Sequence, residues 1–197
     1  MDWQAYYTRS LSQKNFYSED TDSPEDIWKT YPRLKRALRT SPVPTEKFRF
    51  HAFQTSGGEV LTALATPSTL VAHATKRTFD LYEYAARSFQ TSIRASTWPN
   101  ERDRQASFCP TNSSFSVENI RAITLGGISW LNHMDHSKTL ISNAVSRPVV
   151  CIGDKNRSLH QLLRGGGTVC MFRQDVWHLF YTMVAAVETC PCRTLTR

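Results

Sequence analysis

The stretch from residue 68 to residue 95 constrains this chain most, because its apolar positions recur at the period of an α-helix. Leu70, Val71, Ala74, Leu81, Tyr82, Ala85, Phe89 and Ile93 fall on one half of a wheel turned ~100° per residue, with Lys76, Glu83, Arg87 and Arg94 on the other. Thr66-Pro67 ahead of it makes an N-cap and first-turn pair, and Glu83 and Arg87 are spaced to pair at i, i+4. The spacing predicts the longest helix of the chain here.

Around that helix the pattern changes. Residues 47 to 53, Lys-Phe-Arg-Phe-His-Ala-Phe, mostly alternate in character, and Gly57-Gly58 turns the chain into a second apolar run from Val60 to Ala65. Period 2 with a glycine turn predicts a β-hairpin, Phe48 and Phe50 facing the core and Lys47, Arg49 and His51 facing water. Upstream, Pro32 and Pro42 bracket a short helix with Leu34, Ala37 and Leu38 on one side and basic residues on the other.

In the second half, Ser116 is placed to cap a helix running to Met134, weakened by Gly126-Gly127 in its middle. A further short helix is expected from Ser137 until Pro148 stops it. Val149 to Ile152, a brief helix from Ser158 to Arg164, and Thr168 to Phe172 suggest a strand, helix, strand unit with a parallel pair. A last helix is expected from Gln174 to Glu188. The fold class expected is α+β, predominantly helical with two short strand pairs, and an all-α chain is the main alternative. Composition divides the chain into an acidic arm (1–26), an N-terminal lobe (27–96), a linker (97–115), a C-terminal lobe (116–190) and a tail (191–197).

With 40% apolar residues among 197, the chain has enough to bury a core. Its five cysteines are odd in number and irregularly spaced, which argues against a complete disulfide framework and for reduced thiols in the cytoplasm or nucleus. The first residues lack a basic start and apolar run, so export is not expected, and Asn112-Ser113-Ser114 and Asn156-Arg157-Ser158 are read as chance matches to the glycosylation pattern. The longest apolar stretch, between Val176 and Val187, falls short of the ~20 residues a transmembrane helix needs.

Charge points to a function class. Lys and Arg number 24 against 17 Asp and Glu, for a net +7, and seven of the bases, Lys29, Arg33, Lys35, Arg36, Arg39, Lys47 and Arg49, lie in one segment whose single acid is Glu46. Interleaved with phenylalanines, such a patch suits phosphates and stacked bases, so the leading expectation is a non-enzymatic protein that binds nucleic acid, RNA before DNA. A peripheral membrane or matrix-type protein that self-associates on anionic surfaces is the alternative. Length and basicity are shared with matrix and accessory proteins of RNA viruses, a likeness of composition that carries no residue across.

Catalytic frames are faint by comparison. Gly165-Gly166-Gly167 lacks the lysine and hydroxyl residue of a phosphate loop, and Gly153-Asp154-Lys155 reads as an ordinary turn. His133 and His136 in Asn-His-Met-Asp-His, with Cys190 and Cys192, are the candidates for a zinc site and a small zinc-dependent hydrolase, the third function class. No catalytic residue, cofactor or small-molecule substrate is assigned from the sequence, and the partners expected are nucleic acid or an anionic membrane surface, with a homo-oligomer as a further option.

Overall fold

The structure is a computed structural model that describes residues 48–66, 80–110, 114–163, 165–188 and 190. Within them the chain forms nine strands and two helices: β1 (Arg49–Gln54), β2 (Val60–Thr66), α1 (Leu81–Phe89), β3 (Ile93–Ser96), β4 (Val117–Leu125), β5 (Ile128–Leu131), β6 (Thr139–Ser142), β7 (Val150–Gly153), β8 (Gly166–Met171), α2 (Gln174–Thr182) and β9 (Val184–Glu188). All nine strands belong to one sheet, ordered β1-β2-β8-β7-β6-β3-β4-β5, with β9 also on β4. Only β3 and β4 pair in parallel; every other pair is antiparallel. The expectation of a mainly helical chain is therefore wrong.

The β1–β2 hairpin stands as expected, in register from Arg49 opposite Ala65 to Gln54 opposite Val60. Phe50, however, is 49% exposed, and Phe48 is half-buried against Tyr84, their rings stacked 4.3 Å apart. Of the long helix expected from residue 68 to residue 95, residues 68–79 lie outside the described residues, and the rest is helical only over α1. Asp80 caps it by accepting from the Glu83 amide at 2.7 Å, and Gln90 ends it in the left-handed region (φ 52°) with its amide bonded back to the last turn. Phe89 to Ile93 is a step of four, which a helix and an alternating strand satisfy equally well. Beyond Gln90 the period is in fact 2: Ile93 and Ala95 are buried on the α1 side, while the Arg94 guanidinium lies over the Tyr181 ring on the α2 side.

The same ambiguity explains the later misreadings. The helix expected from Ser116 to Met134 is the β4–β5 hairpin, and Gly126 and Gly127, at φ 58° and 80°, form its two-residue turn, a backbone shape that favours glycine. The helix expected after Ser137 is β6, and the last five residues of the one expected from Gln174 are β9. β7 and β8 pair antiparallel, not parallel, joined through a short 3-10 turn at His160–Leu163.

Two apolar layers cover the sheet. On one face α1 packs Leu81, Tyr82, Ala85 and Phe89 against Leu64, Ile93, Val117, Leu140, Val149 and Cys151; on the other α2 packs Trp177 against Ile120, Ile123, Ile141 and Val150. Consecutive residues such as Leu140 and Ile141 serve opposite layers, so the central strands are apolar on both sides and read as continuous runs. The sheet joins strands from both sides of residues 97–115, and within that segment Phe108 exchanges two backbone hydrogen bonds with Val117 at 2.7 and 2.9 Å.

Two disulfides staple this arrangement. Cys151 and Cys170 face one another across β7 and β8, and Cys109 bridges to Cys190 beyond β9. The expectation of reduced thiols falls, and with it the placement in a reducing cytoplasm or nucleus and the reading of a non-exported chain, because disulfides persist in oxidising settings. No described helix is long and apolar enough to cross a membrane.

Candidate active site

The site follows from how β4 shares one of its edges. Asn119 pairs with Ala95 of β3 and with Glu188 of β9, while Ala122 and Ile123 pair with both β5 and β9, so β3 and β5 take successive lengths of the edge opposite β9. Between them the chain ends splay apart. Asn132 enters the gap and donates from Nδ2 to the Ile120 carbonyl at 2.8 Å, satisfying an acceptor that neither strand reaches. A small polar cleft opens there, lined by Thr97, Pro99, Arg104, Gln105, Asn119, Asn132 and Arg157.

Three segments meet at this end of the sheet: the exit of β3 (Thr97–Asp103), the link from β5 to β6 (Asn132–Lys138), and the exit of β7 (Asp154–Gln161). Trp98 ties them together. Its indole lies on the His136 imidazole with centroids 4.5 Å apart and planes 26° apart, its Nε1 donates to the His133 carbonyl at 3.1 Å, and its backbone N–H donates to Asn156 Oδ1 at 3.2 Å. Asn100 adds a second donor to the His133 carbonyl at 3.3 Å. Asn156 in turn donates to Glu101 Oε1 at 2.8 Å, so its side chain is bonded at both ends.

His136 is exposed, and Lys138 follows two residues later, directly before β6. The Lys138 ammonium turns back to donate to the His136 carbonyl. Asp135 fixes the link by accepting from the Ser137 amide at 2.7 Å and from Trp130 Nε1 at 3.3 Å. The His136 ring thereby lies on Trp98, whose chain neighbours Thr97 and Pro99 line the cleft, and the Lys138 ammonium is held at the His136 carbonyl.

A second imidazole belongs to the same end. His160 Nδ1 is 2.8 Å from Asp103 Oδ1, and its Nε2 is 3.7 Å from Glu101 Oε1. The hydrogen bond from His160 holds the Asp103 carboxyl below its usual range. Glu101, Asp103 and His160 are also a trio whose ligand-capable atoms lie within 4.8 Å of one another. Asn156 and Gln161 already donate to the Glu101 carboxylate, and His160 occupies Asp103, so the trio is bonded within itself.

At the cleft, charge is buried and paired. Arg157 is 2% exposed: its Nε meets Asp80 Oδ2 at 2.7 Å, its Nη1 meets Asn119 Oδ1 at 2.7 Å and the Ala106 carbonyl at 3.2 Å, and its Nη2 lies 3.9 Å from Glu83. Burial, with the Asp80 charge second, pushes the Tyr82 phenol far above its usual range, and its hydroxyl donates to the Lys155 carbonyl at 2.8 Å. Lys155 is itself 3% exposed, with Nζ 3.1 Å from Thr66 Oγ1. The glycine run is shaped by this packing. A Cβ on Gly166 would sit 2.7 Å from Asp154 Oδ1 and from two side-chain carbons of Lys155, and Gly166 and Gly167 lie inside β8 instead of cradling a phosphate.

Of the basic patch read from the sequence, Lys29, Arg33, Lys35, Arg36, Arg39 and Lys47 lie outside the described residues, and Arg49 is exposed on β1 opposite Ala65. His133 and His136 do come together with Trp98, His133 through its carbonyl oxygen and His136 through its ring. Cys190 is bridged to Cys109, so its sulfur is not a free thiolate, and Cys192 lies outside the described residues. Sequence reading missed Trp98, Asn100, Lys138 and Asp103 as parts of one site. The one local signal was His136-Ser137-Lys138, an imidazole and an ammonium two residues apart, masked by the expectation of helix on both sides.

Comparison with known proteins gives the geometry a context. The family model described as Deoxyribonuclease II matches residues 6–190. Cell-death-related nuclease 7 of Caenorhabditis elegans is 30% identical over 125 residues, 62% of this chain and 34% of that protein. Plancitoxin-1 of Acanthaster planci is 34% identical over 113 residues, covering 56% and 31%, and deoxyribonuclease-2-beta of Mus musculus is 32% identical over 109 residues, covering 54% and 30%. The chain thus spans about a third of the length of the curated relatives it matches. These matches overturn the reading of a non-enzymatic basic binding protein, with its matrix-like and RNA-binding associations. The chain belongs to the deoxyribonuclease II family.

Proposed function

We propose that this chain carries a phosphodiester-cleaving site acting on DNA, with the His136 imidazole as the acting group and the Lys138 ammonium as its electrostatic partner. The observation that carries this reading is the pair itself: an exposed imidazole stacked on Trp98 and an ammonium two residues along the chain, in a member of a family named for DNA cleavage. Phosphoryl transfer gathers negative charge on the non-bridging oxygens, which a fixed cation stabilises, while an imidazole with an accessible nitrogen can attack phosphorus or move a proton near neutral pH. Nucleic acid is the partner that both the family and the net charge of +7 favour.

Plasmid nicking by the full chain tests the proposal. His136→Ala should lower the rate by ~100-fold or more with the melting temperature unchanged, and Lys138→Ala should lower it by ~10-fold or more. Cleavage by His136→Ala at more than half the parent rate would sink it. The His160–Asp103 pair supports a second reading, in which His160, oriented by a carboxylate at 2.8 Å, is the acting imidazole. Under that reading His160→Ala is inactive and His136→Ala is not.

A further inference from the structure

We infer that Trp98 is the positioning residue for His136, holding the plane of the imidazole while leaving both ring nitrogens open for chemistry. The inference rests on the reading of His136 as the acting group. It begins from what the His136 ring lacks: among the described residues no hydrogen bond is made to either of its nitrogens, and the ring is exposed. A histidine on a link between strands would ordinarily sample several side-chain rotamers. Among the described residues its ring partner is the indole face of Trp98, 4.5 Å away and 26° from parallel.

A stack of this kind differs from the hydrogen bond that usually orients an active imidazole. His160 shows the contrast, since Asp103 fixes it by occupying Nδ1. A face-on aromatic contact restrains tilt without occupying a nitrogen, so either one can reach a phosphorus atom or a proton. Such a platform works only if it is itself fixed. The indole Nε1–H bonds to the His133 carbonyl, three residues before the ring it supports, and the Trp98 backbone N–H bonds to Asn156 on the third segment. The restraint is therefore local: the same indole that faces His136 anchors the link carrying it.

The experiment combines kinetics with NMR of the histidine ring protons in the full chain. Stacking should move the His136 ring protons upfield by ring current, and Trp98→Ala should return them to the positions of a free histidine. The same variant should lower kcat by ~10-fold or more, with KM for DNA within about twofold, because a misplaced group slows the chemical step more than binding. Trp98→Phe keeps a flat face and the backbone bond to Asn156 but loses the Nε1 anchor, and should recover only part of kcat; should Trp98→Ala not fold, Trp98→Leu, apolar but without a flat face, carries its expectations. Unshifted His136 protons in the parent chain overturn the inference, as does an unchanged kcat in the variant. These results separate from the parent reading: an active His136→Ala overturns the assignment of His136, whereas an inactive one beside a fully active Trp98→Ala overturns only the role of Trp98.

Discussion

Asp80 and Arg157 meet at 2.7 Å with both side chains almost fully buried, and each has a second task. The other Asp80 oxygen caps α1, and the far side of the Arg157 guanidinium holds Asn119 where β4 passes from β3 to β5. One ion pair thus locks the helix start to the strand edge that opens the cleft. Removing one partner of such a pair leaves the other charged and desolvated, at a cost of about 3–5 kcal/mol.

Asp80→Ala and Arg157→Leu should therefore each lower the melting temperature by ~10 °C, taking ~2–4 °C per kcal/mol for a chain of this size. The double variant should be less destabilised than the sum of the two, since the second change removes a charge that has already lost its nearest partner. Additive losses in calorimetry would show that the two residues act independently.

Gly166→Ala should destabilise the chain by about 1–3 kcal/mol, because its Cβ would meet Asp154 and the buried stem of Lys155 at 2.7 Å. Gly57→Ala is the control. Its Cβ would have only Thr55 Oγ1 within reach, at 3.9 Å. Urea midpoints that fall equally for both would refute the packing argument.

The two disulfides should differ in their response to reductant. Cys151 and Cys170 are 0% exposed, whereas Cys109 and Cys190 are only partly buried. Mild reduction followed by alkylation should label Cys109 and Cys190 first, as read by peptide mass spectrometry. Loss of Cys109–Cys190, which spans 81 residues, should cost about 4–5 kcal/mol on loop entropy.

Asp103 should titrate below its ordinary value of 3.8, owing to the hydrogen bond from His160. A lowered folded value means that the contribution to stability is complete above about pH 4 and is lost as the pH falls through the lowered value. Carboxyl-carbon NMR should give a midpoint under 3.8, returning toward it in His160→Ala. An unmoved midpoint in that variant would remove His160 as the cause.

Local patterns were legible where one period fits one structure. Alternation from Lys47 to Phe53 with Gly57-Gly58 marked the first hairpin, and the β-branched run at Val149 marked β7. The failures share a cause. In strands covered on both faces apolar residues do not alternate, and steps of three or four, such as Ile120 to Ile123 across a β-bulge, imitate a helix. Cysteine spacing could not reveal that Cys151 and Cys170 stand opposite on neighbouring antiparallel strands.

The sequence by itself determined the charge of the chain, its capacity for a core, and the presence of His136, Lys138 and Trp98, because these are properties of residues and short spacings. Tertiary structure alone decided that β3 and β5 divide one edge of β4, that Trp98 crosses from residue 98 to lie on residue 136, and that Asp80 finds Arg157 across 77 positions. Such contacts depend on strand order and register, which are set by burying both faces of one sheet at once and have no counterpart in any short window of the chain.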